Sequence, residues 1–133
     1  TYGDGLSNVD LRALVDYHKA SKRMATLTAV KPPPRFGTIE ITKGAVTNFA
    51  EKDPKNSGWI NGGFFYISKD VCPLIDGDQT SFESEPLNRL VEQGQLGAFE
   101  HHGWWQPMDT LRDKRTLETL WQKGEAPWLV TQL

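Results

Sequence analysis

Residues 24–30, Met-Ala-Thr-Leu-Thr-Ala-Val, constrain this chain more than any other stretch. A short, uncharged run of apolar and β-branched side chains reads as a strand buried on both faces. Such a strand needs a cover on each face and a partner on each edge. Ser7 to Arg23 offers one cover. Ser7 or Asn8 can cap a helix there, with Leu11, Leu14, Val15 and His18 on one face. The strand run stops at Pro32-Pro33-Pro34. Consecutive prolines cannot donate to a ladder, and they form a stiff, extended connector that holds its shape without hydrogen bonds. That stiffness suits a segment presenting Arg35-Phe36-Gly37 at a fixed place.

The remainder alternates in the same way. Residues 37–41 and 45–52 read as a hairpin turning at Lys43-Gly44, with Ile39 and Ile41 alternating against Glu40 and Thr42. Residues 59–68 form a strand pattern interrupted by Gly62-Gly63, and residues 70–76 read as a short helix. A firmer helix spans residues 81–94, with Pro86 in its first turn and Gly94 as its stop. Residues 95–103 read as a strand, 104–110 as a loop, and 110–124 as a last amphipathic helix. The alternation predicts an α/β fold with a mixed, mostly parallel open sheet flanked by helices.

At 133 residues the chain is one domain at most, and its net charge of −2 gives no electrostatic footprint for nucleic acid or an anionic membrane. No apolar run approaches the roughly 20 residues of a membrane-spanning helix. The single cysteine, Cys72, can form no internal disulfide, which fits a reducing cytoplasm. The chain opens on Thr1-Tyr2-Gly3-Asp4-Gly5 without a methionine, so a piece of a longer protein is expected.

Several residues could carry chemistry. Asp4 sits between two glycines, where a strand would give way to a helix; a carboxylate there can hold Mg²⁺, and a plain Gly-Asp-Gly turn is the other reading. Asp109 could supply a second carboxylate or merely cap the helix that follows. Glu51 and Lys52 end a strand: the ammonium suits a phosphate and the carboxylate suits sugar hydroxyls, unless both are simply solvated. Asn61-Gly62-Gly63 inside an apolar strand marks either a bulge or a close backbone approach to a ligand. His101 and His102 lack a metal-ligand partner at useful spacing and read as structural or surface. Trp104 and Trp105 read as core.

Taken in order, TYGDGLSNVDL, TLTAVKPPPRFGTIEI, FAEKDPKNSGWINGGFF, IDGDQTSFESEPLNRL and GWWQPMDTLRDKR resemble the sugar-phosphate nucleotidyltransferases, over residues 1–128. The tryptophan-rich WWQPMDTLRDK points to the branch that uses CTP. The family's amino-terminal glycine-rich loop, which binds the nucleoside triphosphate, has no counterpart here. The resemblance therefore covers the carboxyl-terminal half, the sugar-phosphate- and metal-binding part of the domain.

The resemblance implies an enzyme joining CTP and α-D-glucose 1-phosphate into CDP-glucose with release of pyrophosphate. Two alternatives are a sister enzyme using UTP or dTTP, and a non-catalytic binding module of the same fold. It further implies Asp4 and Asp109 as ligands of Mg²⁺. Lys52 would hold the sugar's phosphate, and Glu51, Asn61 and Gly62 would lie toward the sugar. Gly37 would allow close backbone approach, and Arg35 would meet a phosphate. A cytoplasmic homo-oligomer serving nucleotide-sugar biosynthesis for lipopolysaccharide O-antigen is the implied context, with neither nucleic acid nor membrane as partner.

Overall fold

The computed structural model describes residues 1–33, 38–43, 45–50 and 58–129. Its elements follow the chain as β1 (Gly5–Ser7), α1 (Leu11–Ser21), β2 (Ala25–Val30), β3 (Thr38–Thr42), β4 (Ala45–Ala50) and β5 (Ile60–Ile67). A short 3-10 helix (Lys69–Leu74), α2 (Glu85–Glu92), β6 (Leu96–His101), β7 (Trp105–Pro107) and α3 (Leu111–Gln122) complete the series.

The apolar run is the middle strand of a three-stranded sheet ordered β5-β2-β6. Thr26 and Thr28 are fully buried, and Ala25 and Val30 nearly so, as a strand covered on both faces requires. Side chains alternate across β2, so each face has its own cover. On one face, Ala25 joins Val71 of the 3-10 helix and Leu87 and Leu90 of α2 in the core, flanked by Met24, Phe65, Leu74, Phe82 and Leu96. Fully buried Leu90 contributes about 1.5–3 kcal/mol of transfer free energy. On the other face α1 lays His18 against Thr26, its Nδ1 2.9 Å from the hydroxyl, and against the Tyr66 ring at 4.5 Å. Tyr17 packs edge-on against Phe99 of β6 nearby.

The mixed α/β architecture is as the sequence implied, but the strand directions differ in balance. Among the described residues only β2–β6 is parallel; β2–β5, β1–β7 and β3–β4 are antiparallel. A parallel pair needs a long crossover, and only the helix-bearing segments between strands supply one. The β3–β4 hairpin forms as expected, with Thr42 opposite Ala45 and Lys43 at φ +50°; Gly44 lies outside the described residues.

Local corrections have local causes. Helix α1 is capped by Asp10, whose carboxylate accepts from the Arg12 and Ala13 N–H groups at 2.8 and 3.0 Å, rather than by Ser7 or Asn8. Leu11 therefore falls in the first turn and is 59% exposed, while Leu14 and His18 are buried. Residues 105–107 form a strand rather than a loop, because β1 is there to pair with them. The last helix begins on a capping box between Thr110 and Asp113, with Asp113 also accepting from Gln106 at 3.1 Å. Cys72 is a free, exposed thiol. No helix among the described residues is long and apolar enough to cross a membrane.

Candidate functional site

The candidate site is built on a short ladder between β1, near the start of the chain, and β7, just before α3. Gly5 pairs with Pro107, Leu6 with Gln106 and Ser7 with Trp105. The pairing continues outward on one side, where the Met108 N–H donates to the Asp4 carbonyl at 2.7 Å. Asp109 follows Met108 directly, so two aspartates 105 positions apart in sequence stand at adjoining strand ends. Both are exposed. Asp4 lies in a bend directly before β1. Thr110, and not Asp109, is the N-cap of α3.

The other side of the ladder is locked by polar contacts. Asn8 and Trp104 exchange bonds: the Asn8 N–H donates to the Trp104 carbonyl at 3.1 Å, and the Trp104 N–H donates to Asn8 Oδ1 at 2.8 Å. The Ser7 hydroxyl donates to the Trp104 carbonyl at 3.0 Å and accepts from the Val9 N–H at 3.2 Å. His101 Nε2 lies 3.2 Å from both Ser7 Oγ and the Trp104 carbonyl oxygen. With the serine proton committed to a carbonyl, His101 is placed as a donor and does not activate Ser7 as a nucleophile. The pair ties β1 to the end of β6, matching the structural reading of His101. His102 is on the surface, edge-on to Trp59 at 5.2 Å.

The ladder leans on β5 at the Asn61-Gly62-Gly63 turn of the strand. Trp105 Nε1–H donates to the Gly62 carbonyl at 2.9 Å, and the Tyr2 N–H donates to the Gly63 carbonyl at 3.1 Å. The β2–β5 register shifts between Leu27 and Ala29, so the glycine pair does mark a bulge. Each glycine is required by close approach. A Cβ on Gly62 would lie 2.7 Å from a Val30 methyl, and one on Gly63, at φ +80°, would lie 2.6 Å from the Tyr2 ring. Asn61 Oδ1 accepts from the Gly63 N–H at 2.9 Å, while its Nδ2 donates to the Tyr2 hydroxyl at 2.7 Å. Trp104 packs at 5.3 Å from Trp128, and both tryptophans of the pair are half-buried.

Tyr2, Gly3, Asp4 and Glu83 line a cavity of about 540 Å³, a volume suited to a small polar ligand. The structure thus brings Asp4, Asp109, Asn61 and Gly62 into one neighbourhood. Arg35, Gly37, Glu51 and Lys52 lie outside the described residues. Tyr2 and Glu83 were not singled out from sequence, where a tyrosine before Gly-Asp-Gly and a glutamate in an acidic turn carry no distinguishing pattern. Among the described residues no three His, Cys, Asp or Glu side chains converge as a metal cage.

The mixed α/β fold, a sheet with helices on both faces, is shared with solved nucleotidyltransferase structures. The crystal structure of HddC from Yersinia pseudotuberculosis matches with a TM-score of 0.59 and 21% identity, over 86% of this chain and 50% of that one. No family model matches the chain. Curated relatives do. Glucose-1-phosphate cytidylyltransferase of Salmonella typhimurium is 56% identical over 128 residues, 96% of this chain and 50% of the relative. Mannose-1-phosphate guanyltransferase of Candida albicans is 34% identical over 118 residues, 81% of this chain and 33% of the relative. The chain belongs to the sugar-phosphate nucleotidyltransferases. Within them it aligns with the glucose-1-phosphate cytidylyltransferases, spanning about half the length of the curated relatives it matches, consistent with their carboxyl-terminal half.

Proposed function

We propose that this chain forms the sugar-phosphate and metal side of an enzyme making CDP-glucose and pyrophosphate from CTP and α-D-glucose 1-phosphate. The observation that carries the reading is the Asp4–Met108 bond, which puts Asp4, in the cavity wall, and Asp109 at neighbouring strand ends. A Mg²⁺ site commonly uses one or two protein carboxylates and completes its shell with phosphate oxygens and water, so two exposed aspartates, with no cluster of three ligating side chains among the described residues, fit that ion. Bound there, Mg²⁺ would neutralise charge on the phosphates as the pyrophosphate departs.

The protein's own part is positioning. The sugar phosphate's oxygen attacks the α-phosphorus of CTP in line, and no protein nucleophile is needed. Lys52 holds the phosphate of the sugar, Arg35 meets a phosphate, and Glu51, Asn61 and Gly62 face the sugar, which approaches the backbone at Gly37. In Asn61 the remaining amide hydrogen and the second lone pair of Oδ1 are the groups that can reach a hydroxyl. The cytoplasmic, homo-oligomeric context belongs to this same reading.

The test is turnover of CTP and glucose 1-phosphate by the full-length protein at graded Mg²⁺. Asp4→Asn and Asp109→Asn should each lower kcat at least a hundredfold, with a raised Mg²⁺ requirement, while the folded state persists. Full activity in either variant would overturn the metal assignment. A panel of nucleoside triphosphates decides the base: preference for UTP or dTTP would replace the cytidylyl reading, and no turnover with any would leave a binding module.

A further inference from the structure

Tyr2 stands where the aspartate bend meets β5, and its backbone N–H and its hydroxyl both bond to that strand, while its carbonyl accepts from the Thr1 hydroxyl at 3.1 Å. Its N–H donates to the Gly63 carbonyl at 3.1 Å, and its hydroxyl accepts from Asn61 Nδ2 at 2.7 Å. The ring occupies the space a side chain on Gly63 would need, with Cδ2 only 2.6 Å from such a Cβ, and it packs at 5.9 Å against Phe65. Two residues on in the chain comes Asp4, in the same cavity wall.

The direction of these bonds follows from chemistry. The Gly63 N–H can only donate, and it points at Asn61 Oδ1 at 2.9 Å. The Asn61 amide therefore turns its NH₂ toward Tyr2, and the tyrosine oxygen is the acceptor. An asparagine held at both ends keeps its remaining donor and lone pair in one orientation. Without the tyrosine hydroxyl, the amide keeps only the Gly63 bond and can rotate about its side-chain torsions.

We propose that Tyr2 is a positioning residue for sugar recognition: it orients Asn61 toward the sugar hydroxyls and couples that strand to the Asp4 bend. This rests on the assignment of Asn61 to the sugar made above. Tyr2→Phe is the suited variant, because it keeps the ring over Gly63 and deletes one oxygen. Losing one hydrogen bond that orders a recognition group should raise KM for glucose 1-phosphate about threefold to tenfold. KM for CTP should be unchanged, and the melting temperature nearly so.

The experiment is a double-mutant cycle in the full-length protein with Tyr2→Phe and Asn61→Ala, reading KM for each substrate and the melting temperature. If Tyr2 acts through Asn61, Tyr2→Phe raises the sugar-phosphate KM in the parent and adds nothing in the Asn61→Ala background. Equal effects in both backgrounds would overturn the inference, since Tyr2 would then act independently of Asn61. An effect of Asn61→Ala with none from Tyr2→Phe would also overturn it, leaving the sugar role of Asn61 standing. If neither substitution moves the sugar-phosphate KM, the Asn61 assignment itself fails and the inference falls with it. A matched rise in both substrates' KM with a lowered melting temperature would mark Tyr2 as a fold residue only.

Discussion

Replacing Gly63 by alanine is the most incisive perturbation of the bulge that supports the site. Gly63 has φ +80°, a conformation costing an L-residue roughly 1–2 kcal/mol. The added Cβ would lie 2.6 Å from Tyr2 Cδ2 and 3.1 Å from its Cγ, too close for the ring to stay. Overpacking of this kind costs about 1–3 kcal/mol, and swinging the ring away forfeits the Asn61 bond, about 0.5–1.5 kcal/mol net. The two penalties overlap, because the ring relieves the clash by giving up the bond. A total near 3 kcal/mol is expected, about 1 M in urea midpoint for a typical slope. Gly124→Ala is the matched control: φ is +70° but nothing lies within 4 Å of the new Cβ, so only the backbone component remains. Urea unfolding of the full-length protein, with the slope monitored, should therefore rank Gly63→Ala well below Gly124→Ala. In a Tyr2→Ala background the cost of Gly63→Ala should fall to that of the control. Gly63→Ala no more damaging than Gly124→Ala would refute the claim that Tyr2 and Gly63 are mutually fitted.

Three further outcomes follow from the same residues. Lys52→Ala in the full-length protein should raise KM for glucose 1-phosphate roughly tenfold or more and spare CTP, since a charge-assisted bond is worth about 1.5–3 kcal/mol; unchanged kinetics would return Lys52 to a solvated ion pair. Burial lowers the His18 pKa below its ordinary 6.5, so the unfolded chain binds a proton that the folded one refuses. Stability from neutral His18 is thus complete above about pH 6.5 and lost as pH falls below it, and His18→Gln should flatten the drop in urea midpoint between pH 7.5 and 5.5; parallel drops would remove His18 as the cause. The 133-residue chain by itself should neither make CDP-glucose nor run as a monomer in size-exclusion chromatography, because β5 and β6 are each laddered along one edge only among the described strands. A monomeric, cooperatively melting chain with turnover would contradict both parts.

What the sequence determined by itself is local and periodic. The uncharged run in β2, the proline and glycine bounds of α2, the β3–β4 hairpin and the motif order that marks the family were all legible, because propensity, patterning and turn chemistry act over a few residues. Family membership likewise needs only residue order. Which group caps α1 was misread because Ser7, Asn8 and Asp10 are all competent caps; the choice fell to Asp10 once Ser7 and Asn8 were engaged by Trp104 and His101. The strand at residues 105–107 was hidden for a related reason: a three-residue strand has almost no pattern of its own and exists because β1 pairs with it. The backbone bond that joins Asp4 to Met108, and the fit of Tyr2 against Gly63, were decided by tertiary structure, although the resemblance had already paired Asp4 with Asp109. Each joins residues separated by about half the chain or more, and only the closed ladder against β5 turns that separation into contact.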